Sequence, residues 1–433
     1  MLVLTAVFLV PWHLCLVFLR RVTHDDLLQR LGRGKGPSRR ATTRILLHGS
    51  SYGEILSLGS LISSLRATGD DLEVIITCFN RDGKKAVQRL REENPLVVQV
   101  QYLPWDVFFL MKRWLGSLHP DLVVTVELEL WPAFFQACGE LGIPLCVVSA
   151  RMDPSAERWY KVVGWFSRAL ISCPDWIFAK DERERQRFIS LGARPSNVLA
   201  LGDLKWCGEQ ANAVDEDGHL SPVVAGRTMI VAGSTHPPED VWVARAFLQL
   251  RTSYPELSLV IAPRKVSRCR RLVKDVAALG LKASLWSEIQ PGDRPGWDVL
   301  VLDEMGWLRG FYAHAAIAVV GGSFVNHGGH NVVEPAALGR PLVIGPFVDN
   351  AAGIVGELSQ GKAIRWLGEA GQLTEALQEL LENREEAHAM GERAKAIVLS
   401  HQGIARDYAE ALIRLLEEGR KAGHLSKEVP SDA

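Results

Sequence analysis

The feature that most constrains the fold is an alternation of short β-branched runs with segments of helical period, which starts at Thr43. Such alternation predicts a parallel sheet with helices on both faces. The first series of predicted strands comprises Arg44–His48, Leu72–Thr77, Val97–Tyr102, Leu122–Val126, Leu145–Val148 and Trp176–Phe178. The second series comprises Met229–Ala232, Leu257–Ile261, Val299–Leu302, Ile317–Val320 and Pro341–Ile344. The predicted class is therefore α/β.

A polar, acidic stretch at residues 207–225 separates the two series and is predicted to be a linker. With 433 residues and 47% hydrophobic content, the chain is long enough for two domains that each have a core. We expect an N-terminal domain at 22–206, a C-terminal domain at 226–420 whose last part is helical, and a flexible tail at 421–433. Ligands of such doubly wound domains bind beyond the carboxyl ends of the strands, in a cleft that the domains face.

Charge and cysteine content exclude several classes of function. The 49 Lys and Arg residues nearly balance the 50 Asp and Glu residues, so nucleic acid is not an expected partner. The cysteines are scattered without a CxxC pair, which predicts reduced core residues of a cytosolic compartment rather than disulfides or a metal site. They are Cys15, Cys78, Cys138, Cys146, Cys173, Cys207 and Cys269.

Residues 2–19 form an uncharged apolar run that ends at Arg20 and Arg21. As a helix this run would be ~27 Å long at ~1.5 Å per residue, close to the ~30 Å of a bilayer core. We predict that residues 1–21 are a membrane anchor that spans the bilayer or lies in its interface. A buried core helix and a signal peptide are the alternatives, although no small-residue cleavage site follows. The arginines favour a cytoplasmic location for the rest of the chain.

The stretch Gly321–Glu334, GGSFVNHGGHNVVE, reads as a glycine-rich turn between a strand and a helix. Gly328 and Gly329 would let backbone N–H groups approach a ligand, and a helix that begins near Asn331 would add its unpaired N–H groups. A phosphate or carboxylate fits such a turn, and Glu334 is placed to accept hydrogen bonds from a sugar diol. Glycine-rich turns also occur in proteins without ligands, so both interpretations stay open.

Candidate catalytic groups of the first domain follow its predicted strands. Glu54 opens a helix, where a carboxylate is stabilised as an anion and could take a proton from a hydroxyl; the alternative is a capping box with Ser51. Glu127 and Glu129 stand at alternate positions after a strand and would face one side, as surface charges also could. Lys205 lies near the domain boundary, where it would meet a donor anion or be solvated.

The second domain offers polar groups at three further strand ends. Small hydroxyls between a strand and a helix start bind phosphates or cap the helix, and an arginine after a strand clamps an anion or lies on the surface. A glycine after a strand permits a tight turn, with or without a ligand. The residues concerned are Ser234, Thr235 and His236, then Arg264, then Met305 and Gly306.

Seven segments resemble, in order and spacing, the 3-deoxy-D-manno-octulosonic acid (Kdo) transferases of lipopolysaccharide synthesis. They are HGSSYGE, VELELWP, LGDLKW, GSTHPPED, APRK, DEMG and GGSFVNHGGHNVVEPAALG. The resemblance covers nearly the whole chain and includes the N-terminal anchor. It implies a GT-B fold, CMP-Kdo as donor, a lipid A precursor as acceptor, no metal or other cofactor, and a location at the inner membrane with the catalytic domains on the cytoplasmic face.

The same resemblance implies residue roles. Glu54 matches the general base of the family, and Glu127 and Lys205 match residues that stabilise the transition state. The positions that match the CMP site are Pro263, Arg264, Met305, Gly306, Asn331 and Glu334.

Some positions depart from the family pattern and leave the donor less defined than the fold. Trp307 stands where members carry Glu after the Met-Gly pair, and Val332 changes the usual NPLE to NVVE. The alternatives are another GT-B glycosyltransferase that uses a UDP-sugar or a different CMP-nonulosonic acid, and a non-catalytic, membrane-tethered scaffold.

Overall fold

A computed structural model of the chain describes residues 24–33, 36–38, 41, 43–127, 131–152, 164–207, 220–289 and 296–421. The described residues form two compact units, one within 1–209 and 403–433 and the other within 210–402. Each unit is built on a 7-stranded parallel sheet. The predicted class, two Rossmann-like α/β domains, is confirmed.

The first unit has the strand order β3-β2-β1-β4-β5-β6-β7. Four of its strands are buried along their whole length, as expected for a sheet covered on both faces. In chain order its elements are α1 (His24–Arg30), β1 (Thr43–His48), α2 (Tyr52–Ala67), β2 (Leu72–Cys78), α3 (Arg81–Glu93), β3 (Val97–Tyr102), α4 (Phe108–Leu118), β4 (Leu122–Val126), α5 (Pro132–Leu141), β5 (Leu145–Ala150), α6 (Trp165–Ile171), β6 (Trp176–Ala179), α7 (Glu182–Ser190) and β7 (Val198–Ala200).

The second unit has the order β10-β11-β9-β8-β12-β13-β14. Its elements are α8 (Leu220–Val224), β8 (Thr228–Thr235), α9 (Glu239–Leu250), β9 (Leu257–Pro263), α10 (Cys269–Ala277), β10 (Ala283–Leu285), β11 (Val299–Val301), α11 (Leu308–Ala313), β12 (Ile317–Val320), α12 (Val333–Ala337), β13 (Leu342–Ile344), α13 (Ala352–Gln360), β14 (Arg365–Trp366), α14 (Leu373–Glu382) and α15 (Arg384–Ser400). The short strands β10 and β14 were not predicted, because their sequences, ASL and RW, are not the continuous apolar runs that mark β11 and β13.

The core of the second unit has one layer on each face of the sheet. Alternate residues of β8 point to opposite faces, so Ile230 packs with α9, α10 and α14 while Val231 packs with α8 and α11. Both residues are fully buried. This two-sided burial fixes the strands, and it leaves the loops beyond their carboxyl ends free to carry polar groups.

In each sheet the strand order reverses at one point, where ligands of open α/β sheets bind. In the first unit β1 pairs with β2 on one side and β4 on the other. In the second unit β8 pairs with β9 and with β12. The predicted site segments that begin at Gly49, Glu127 and Gly321 directly follow three of these four central strands, and Ser234 and Thr235 are the last two residues of the fourth, β8.

The C-terminal helix α16 (Ile404–Lys421) belongs to the first unit, so the predicted second domain, which extended to residue 420, is wrong at its end. Its buried residues, which recur at helical spacing, include Tyr408 and Leu412, and the helix packs on α2. The Tyr408 hydroxyl accepts a hydrogen bond from Ser149 N at 3.0 Å and donates to Gly202 O at 2.8 Å. These contacts hold the helix on the first unit.

The predicted linker is shorter than 207–225. Leu220 is fully buried in the core of the second unit as the first residue of α8, and Cys207 is buried in the last 3₁₀ turn of the first unit. Residues 208–219 lie outside the described residues, as do the predicted anchor at 1–21 and most of the predicted tail at 421–433. Within the described ranges, no helix has the length and apolar character needed to cross a bilayer.

The described cysteines are all free thiols, as expected. One of them differs from the prediction of core residues, because Cys173 is exposed after α6 while the other five are buried. Cys15 lies outside the described residues.

Candidate active site

Glu54 occupies the first turn of α2 and is held by its own loop. Ser51 caps the helix, since its Oγ accepts a hydrogen bond from Glu54 N at 3.3 Å. The Glu54 carboxylate accepts hydrogen bonds from Ser51 Oγ at 2.6 Å and from Ser50 N at 2.8 Å. Ser51 therefore caps the helix as the alternative expected, although the carboxylate bonds Ser50 N in place of the Ser51 N of a capping box, and the same bonds fix the carboxylate at the carboxyl end of β1. Capping and a role as base are compatible in this arrangement.

Glu127 follows β4 and is the acceptor for two cations. Lys205 Nζ donates to its Oε1 at 2.5 Å and Arg151 Nε donates to its Oε2 at 2.7 Å. Burial alone would raise the pKa of the Glu127 carboxyl, but the two cations hold the pKa below its ordinary value. The residue also has a φ of 56°, a strained conformation for a residue with a side chain. Glu129, its predicted companion, lies outside the described residues.

Arg151 was missed by sequence reasoning. It is the first residue after β5, next to β4 in the sheet, and its position after a strand end was the only signal available. Burial lowers its pKa, but the Glu127, Asp203 and Glu54 carboxylates together raise the pKa above its ordinary value. The four ionisable groups Glu54, Glu127, Arg151 and Lys205 therefore lie at one edge of the first sheet.

The second unit has a small pocket of about 90 Å³ beyond β8, β9 and β11. Five of the predicted donor-site residues line it: Ser234, Pro263, Arg264, Met305 and Gly306. Met305 is 69% exposed, which makes its side chain available to a flat apolar ligand. Gly306 has a φ of 98°, so the turn itself needs glycine.

Thr235 and Ser234 differ in what they can contact. Thr235 is fully buried, and its Oγ1 has no hydrogen-bond partner in the described part of the chain. Only Ser234 lines the pocket, and it adopts a left-handed φ of 56°. Of the two predicted hydroxyls, only that of Ser234 therefore lies at the pocket in this conformation, because the Thr235 side chain is buried.

His236 belongs to a group of three imidazoles. Its ring stacks on His327 at 4.0 Å between centroids, and its Nε2 lies 2.8 Å from Nε2 of His330. Burial, with smaller contributions from the neighbouring imidazoles and the Arg264 cation, lowers the pKa of His236 and of His330 to about 4. The two rings are therefore neutral at pH 7, with one proton between the facing nitrogens. His327 and His330 were not predicted as site residues.

A buried carboxylate connects the two loops that carry these histidines. Glu239 is 1% exposed, and its Oε2 accepts hydrogen bonds from His236 N at 2.7 Å and Gly322 N at 2.8 Å. Its Oε1 accepts one from Phe324 N at 2.8 Å. The loop after β8 is thereby fixed to the glycine-rich loop after β12.

The glycine-rich loop is more self-contained than predicted. The N–H of Gly329 donates to Gly322 O at 2.8 Å, so it is not available to a ligand in this conformation. The helix expected near Asn331 begins at Val333 and has only five residues, and the Asn331 side chain accepts from Val333 N at 3.0 Å. Gly328 has a φ of 77° with the Asn350 amide packed against it. A helix dipole therefore contributes little here.

Glu334 lies in the first turn of α12, close to the end of β8. Burial raises the pKa of the Tyr312 phenol, and the Glu334 carboxylate raises it further. Tyr312 in turn contacts Gly233, where a Cβ would lie 1.9 Å from the phenol oxygen. Glu334 thus stands at the same strand end as Ser234.

Trp307, which departs from the pattern of the resembled family, makes an aromatic contact. Its ring meets the buried Trp286 edge to face at 4.9 Å, and its indole N–H donates to Glu304 Oε2 at 3.2 Å. The side chain packs on the core below α11 rather than extending as a polar arm. Among the residues that the structure describes, no group of three or more His, Cys, Asp or Glu side chains is arranged to hold a metal ion.

Comparison with known proteins identifies the family of the chain. Residues 25–207 match the family model described as 3-deoxy-D-manno-octulosonic-acid transferase (kdotransferase). The 3-deoxy-D-manno-octulosonic acid transferase of Bordetella pertussis is 30% identical over 377 residues, which cover 85% of this chain and 86% of that protein. The chain belongs to the Kdo transferase family, and this family is one of glycosyltransferases.

Two further comparisons extend the match. The 3-deoxy-D-manno-octulosonic acid transferase of Haemophilus influenzae is 27% identical over 421 residues, 94% of this chain and 96% of that protein. The crystal structure of UDP-GlcNAc 2-epimerase from Neisseria meningitidis bound to UDP-GlcNAc has a TM-score of 0.58 at 13% identity and covers 86% of this chain and 100% of that one. The match to the Haemophilus influenzae protein spans all of the candidate site residues of this Kdo transferase family member. The similarity to the epimerase shows the fold alone.

Proposed function

We propose that this protein transfers Kdo from CMP-Kdo to a lipid A precursor during lipopolysaccharide synthesis, in a GT-B fold. Membership of the Kdo transferase family is the observation that carries the proposal. The geometry supports it because both units place polar groups at the point where their strand order reverses, where such sheets bind ligands. In the first unit these groups are a carboxylate and a charged triad, and in the second they form a pocket.

The first unit is proposed to supply the chemistry. The acceptor hydroxyl donates its proton to Glu54 while its oxygen attacks the anomeric carbon of Kdo, and the bond from that carbon to the CMP phosphate oxygen breaks. The electron pair of the breaking bond remains on the phosphate, so CMP leaves as an anion. Attack from the side opposite the leaving group inverts the anomeric centre. Glu127 and Lys205 stabilise the charge that develops.

The second unit is proposed to hold the nucleotide. Arg264 and Ser234 would bind the phosphate, Asn331 and Glu334 the ribose and base, and Met305 with Pro263 and Gly306 the flat face of the cytosine. The cations Arg264, Lys265 and Arg268 act on the His236 ring and make this end of the sheet positive. These cations offset the growing negative charge of CMP, so we propose that the transfer proceeds without a metal ion.

One experiment tests the donor, the acceptor and the metal requirement together. The full chain is incubated with CMP-Kdo and a lipid A precursor, with and without EDTA, and the product is weighed by mass spectrometry. We expect a mass gain of whole Kdo residues in both samples and an inverted anomeric centre by NMR. If product formed from a UDP-sugar or CMP-sialic acid but not from CMP-Kdo, the proposed donor would be wrong. If EDTA abolished product formation and a divalent ion restored it, metal independence would be rejected.

Membrane attachment is a separate proposal that rests on the sequence of residues 2–19. An anchor there would hold the first unit beside lipid-bound sugars at the cytoplasmic face of the inner membrane. Fractionation without detergent should place the full chain in the membrane pellet and a variant without residues 1–21 in the supernatant. Equal distribution of the two chains would disprove the anchor.

A further inference from the structure

Arg151 is held in a fixed orientation by one edge of its guanidinium. Its Nε donates to Glu127 Oε2 at 2.7 Å, while Lys205 occupies the other carboxylate oxygen at 2.5 Å. Glu127 is itself only 14% exposed and cannot swing freely, so the arginine is fixed by a nearly buried partner. Arg151 remains 34% exposed, which leaves its outer edge in contact with solvent.

The terminal amino groups of Arg151 have no acceptor in the described part of the chain. Nε is the only atom of this side chain that donates a hydrogen bond to a described residue. A guanidinium presents its remaining N–H donors in a planar fork that matches the two oxygens of a carboxylate. Lys205 lacks this geometry, because an ammonium is a point charge and this one is already engaged by Glu127.

The surroundings of Arg151 make an unneutralised substrate anion unfavourable. The carboxylates of Glu127, Asp203 and Glu54 all act on its charge, so this edge of the sheet is rich in negative groups. In the proposed reaction, an acceptor hydroxyl hydrogen-bonded to Glu54 attacks the anomeric carbon from about 3 Å. An octulosonic acid carries its carboxylate on that same carbon. The substrate anion must therefore arrive close to Glu54, where only a cation with free donors can receive it.

We propose that the terminal amino groups of Arg151 bind the carboxylate of the transferred acid sugar and so select an acid sugar over a neutral one. This inference rests on the proposed function and deepens it. Arg151 then has two partners at once, Glu127 through Nε and the substrate carboxylate through its outer edge. Glu127 orients the guanidinium, which reduces the entropy lost when the substrate binds.

The test measures selectivity rather than activity alone. Wild type, Arg151→Ala and Arg151→Lys are each assayed with CMP-Kdo and with its analogue in which the sugar carboxylate is a carboxamide. Arg185→Ala is the matched control, because Arg185 also donates through Nε, to Val198 O at 2.8 Å, and its side chain is 27% exposed in the same unit. Melting curves of all variants establish that each one folds.

We expect wild type and Arg185→Ala to prefer CMP-Kdo over the carboxamide by about 100-fold in kcat/KM, as for loss of one partner of a desolvated charge pair. Arg151→Ala should reduce this ratio to within a few-fold of unity, with Arg151→Lys in between. A ratio that stays unchanged in a folded Arg151→Ala variant would overturn the inference, whatever the loss of activity. An unchanged donor ratio with a raised KM for the acceptor would instead assign the anion to an acceptor phosphate. Absence of Kdo transfer by wild type would reject the proposed function itself.

Discussion

Lys205 Nζ lies 2.5 Å from Glu127 Oε1, a contact that joins the turn after β7 to the end of β4. Glu127 has a second cation, Arg151, on its other oxygen, whereas Lys205 has only this one acceptor in the described residues. The triad therefore has one negative and two positive groups. Removing the single anion should therefore change the stability of the first unit more than removing one of the two cations.

We predict that Glu127→Gln destabilises the first unit more than Lys205→Met does. The glutamine variant leaves two cations next to each other without a counter-charge, whereas the methionine variant leaves Glu127 paired with Arg151. Because the pair is partly buried, the difference should be about 2 kcal/mol in the free energy of unfolding. Hydrogen exchange of the β4 and β7 amides reports on this unit alone. Greater protection loss in Lys205→Met than in Glu127→Gln would contradict the prediction.

A second prediction separates the two roles of Glu54. Glu54→Gln keeps a side chain of the same shape but removes the proton acceptor, so turnover should fall by about 10²–10⁴-fold, while CMP-Kdo binding by calorimetry stays near wild type. Ser51→Ala is the control for the cap: it removes the Oγ that bonds both Glu54 N and its carboxylate. It should cost about 1 kcal/mol of stability and much less turnover. Equal losses of turnover in the two folded variants would reduce Glu54 to a capping residue.

Most of the fold could be predicted because its strands are continuous apolar runs. Val97–Tyr102, Leu122–Val126 and Ile317–Val320 were predicted with the bounds that the structure shows. Burial on both faces makes such a strand mostly apolar, with Gln99 and Gln101 as exceptions in β3, so its ends are marked in the sequence by a change to polar residues. The helix α16 was assigned to the wrong unit for the opposite reason. An amphipathic face indicates that the helix is packed, but not which sheet it covers.

The candidate site residues could be predicted only where they follow a strand whose end is visible in the sequence. Glu54, Lys205 and Arg264 were found because polar residues after apolar strands stand out. Arg151 follows a strand too, but a lone arginine carries no spacing pattern. Which of Ser234 and Thr235 lines the pocket depends on the left-handed φ at Ser234, which changes the direction of its side chain. A serine in the sequence does not indicate such a φ.

A third prediction concerns pH and the second unit. His236 and His330 share a hydrogen bond of 2.8 Å between Nε2 atoms, and burial and nearby cations lower the pKa of each to about 4. In the unfolded chain a histidine has a pKa of about 6.5. Between pH 6.5 and about 4 the unfolded chain therefore takes up protons that the native pair does not, and stability falls as the pH falls. Above this window the pair contributes no pH dependence.

The measurement is the melting temperature of the second unit from pH 7.5 to 4.5. We expect it to fall steadily below pH 6.5 in wild type, and the slope to be shallower in the double variant His236→Asn and His330→Asn. His388→Asn, which removes an exposed histidine of the same unit, is the control. The Glu127 carboxylate in the first unit loses its stabilising charge in a lower pH range, because its folded pKa lies below the ordinary value. Identical slopes in wild type and the double variant would disprove the role of the pair.

A fourth prediction concerns the point where β8 and β12 meet. A Cβ at Gly321 would lie 2.6 Å from both Ser234 O and Thr235 Cα, and these are backbone atoms that cannot rotate away. Gly321→Ala must therefore push the two strand ends apart and move Ser234 in the pocket. We expect a loss of about 2 kcal/mol or more in stability, together with weaker binding of CMP in calorimetry.

The matched control is Gly356→Ala, because Gly356 lies inside α13 with nothing within 4 Å of an added Cβ. This change should raise stability by about 0.5–1 kcal/mol through helix propensity and leave CMP binding unchanged. Denaturant unfolding followed by tryptophan fluorescence gives the stability of each variant, and calorimetry gives its affinity for CMP. If Gly321→Ala bound CMP as wild type does, despite a measured loss of stability, the strand junction would have no part in shaping the nucleotide pocket.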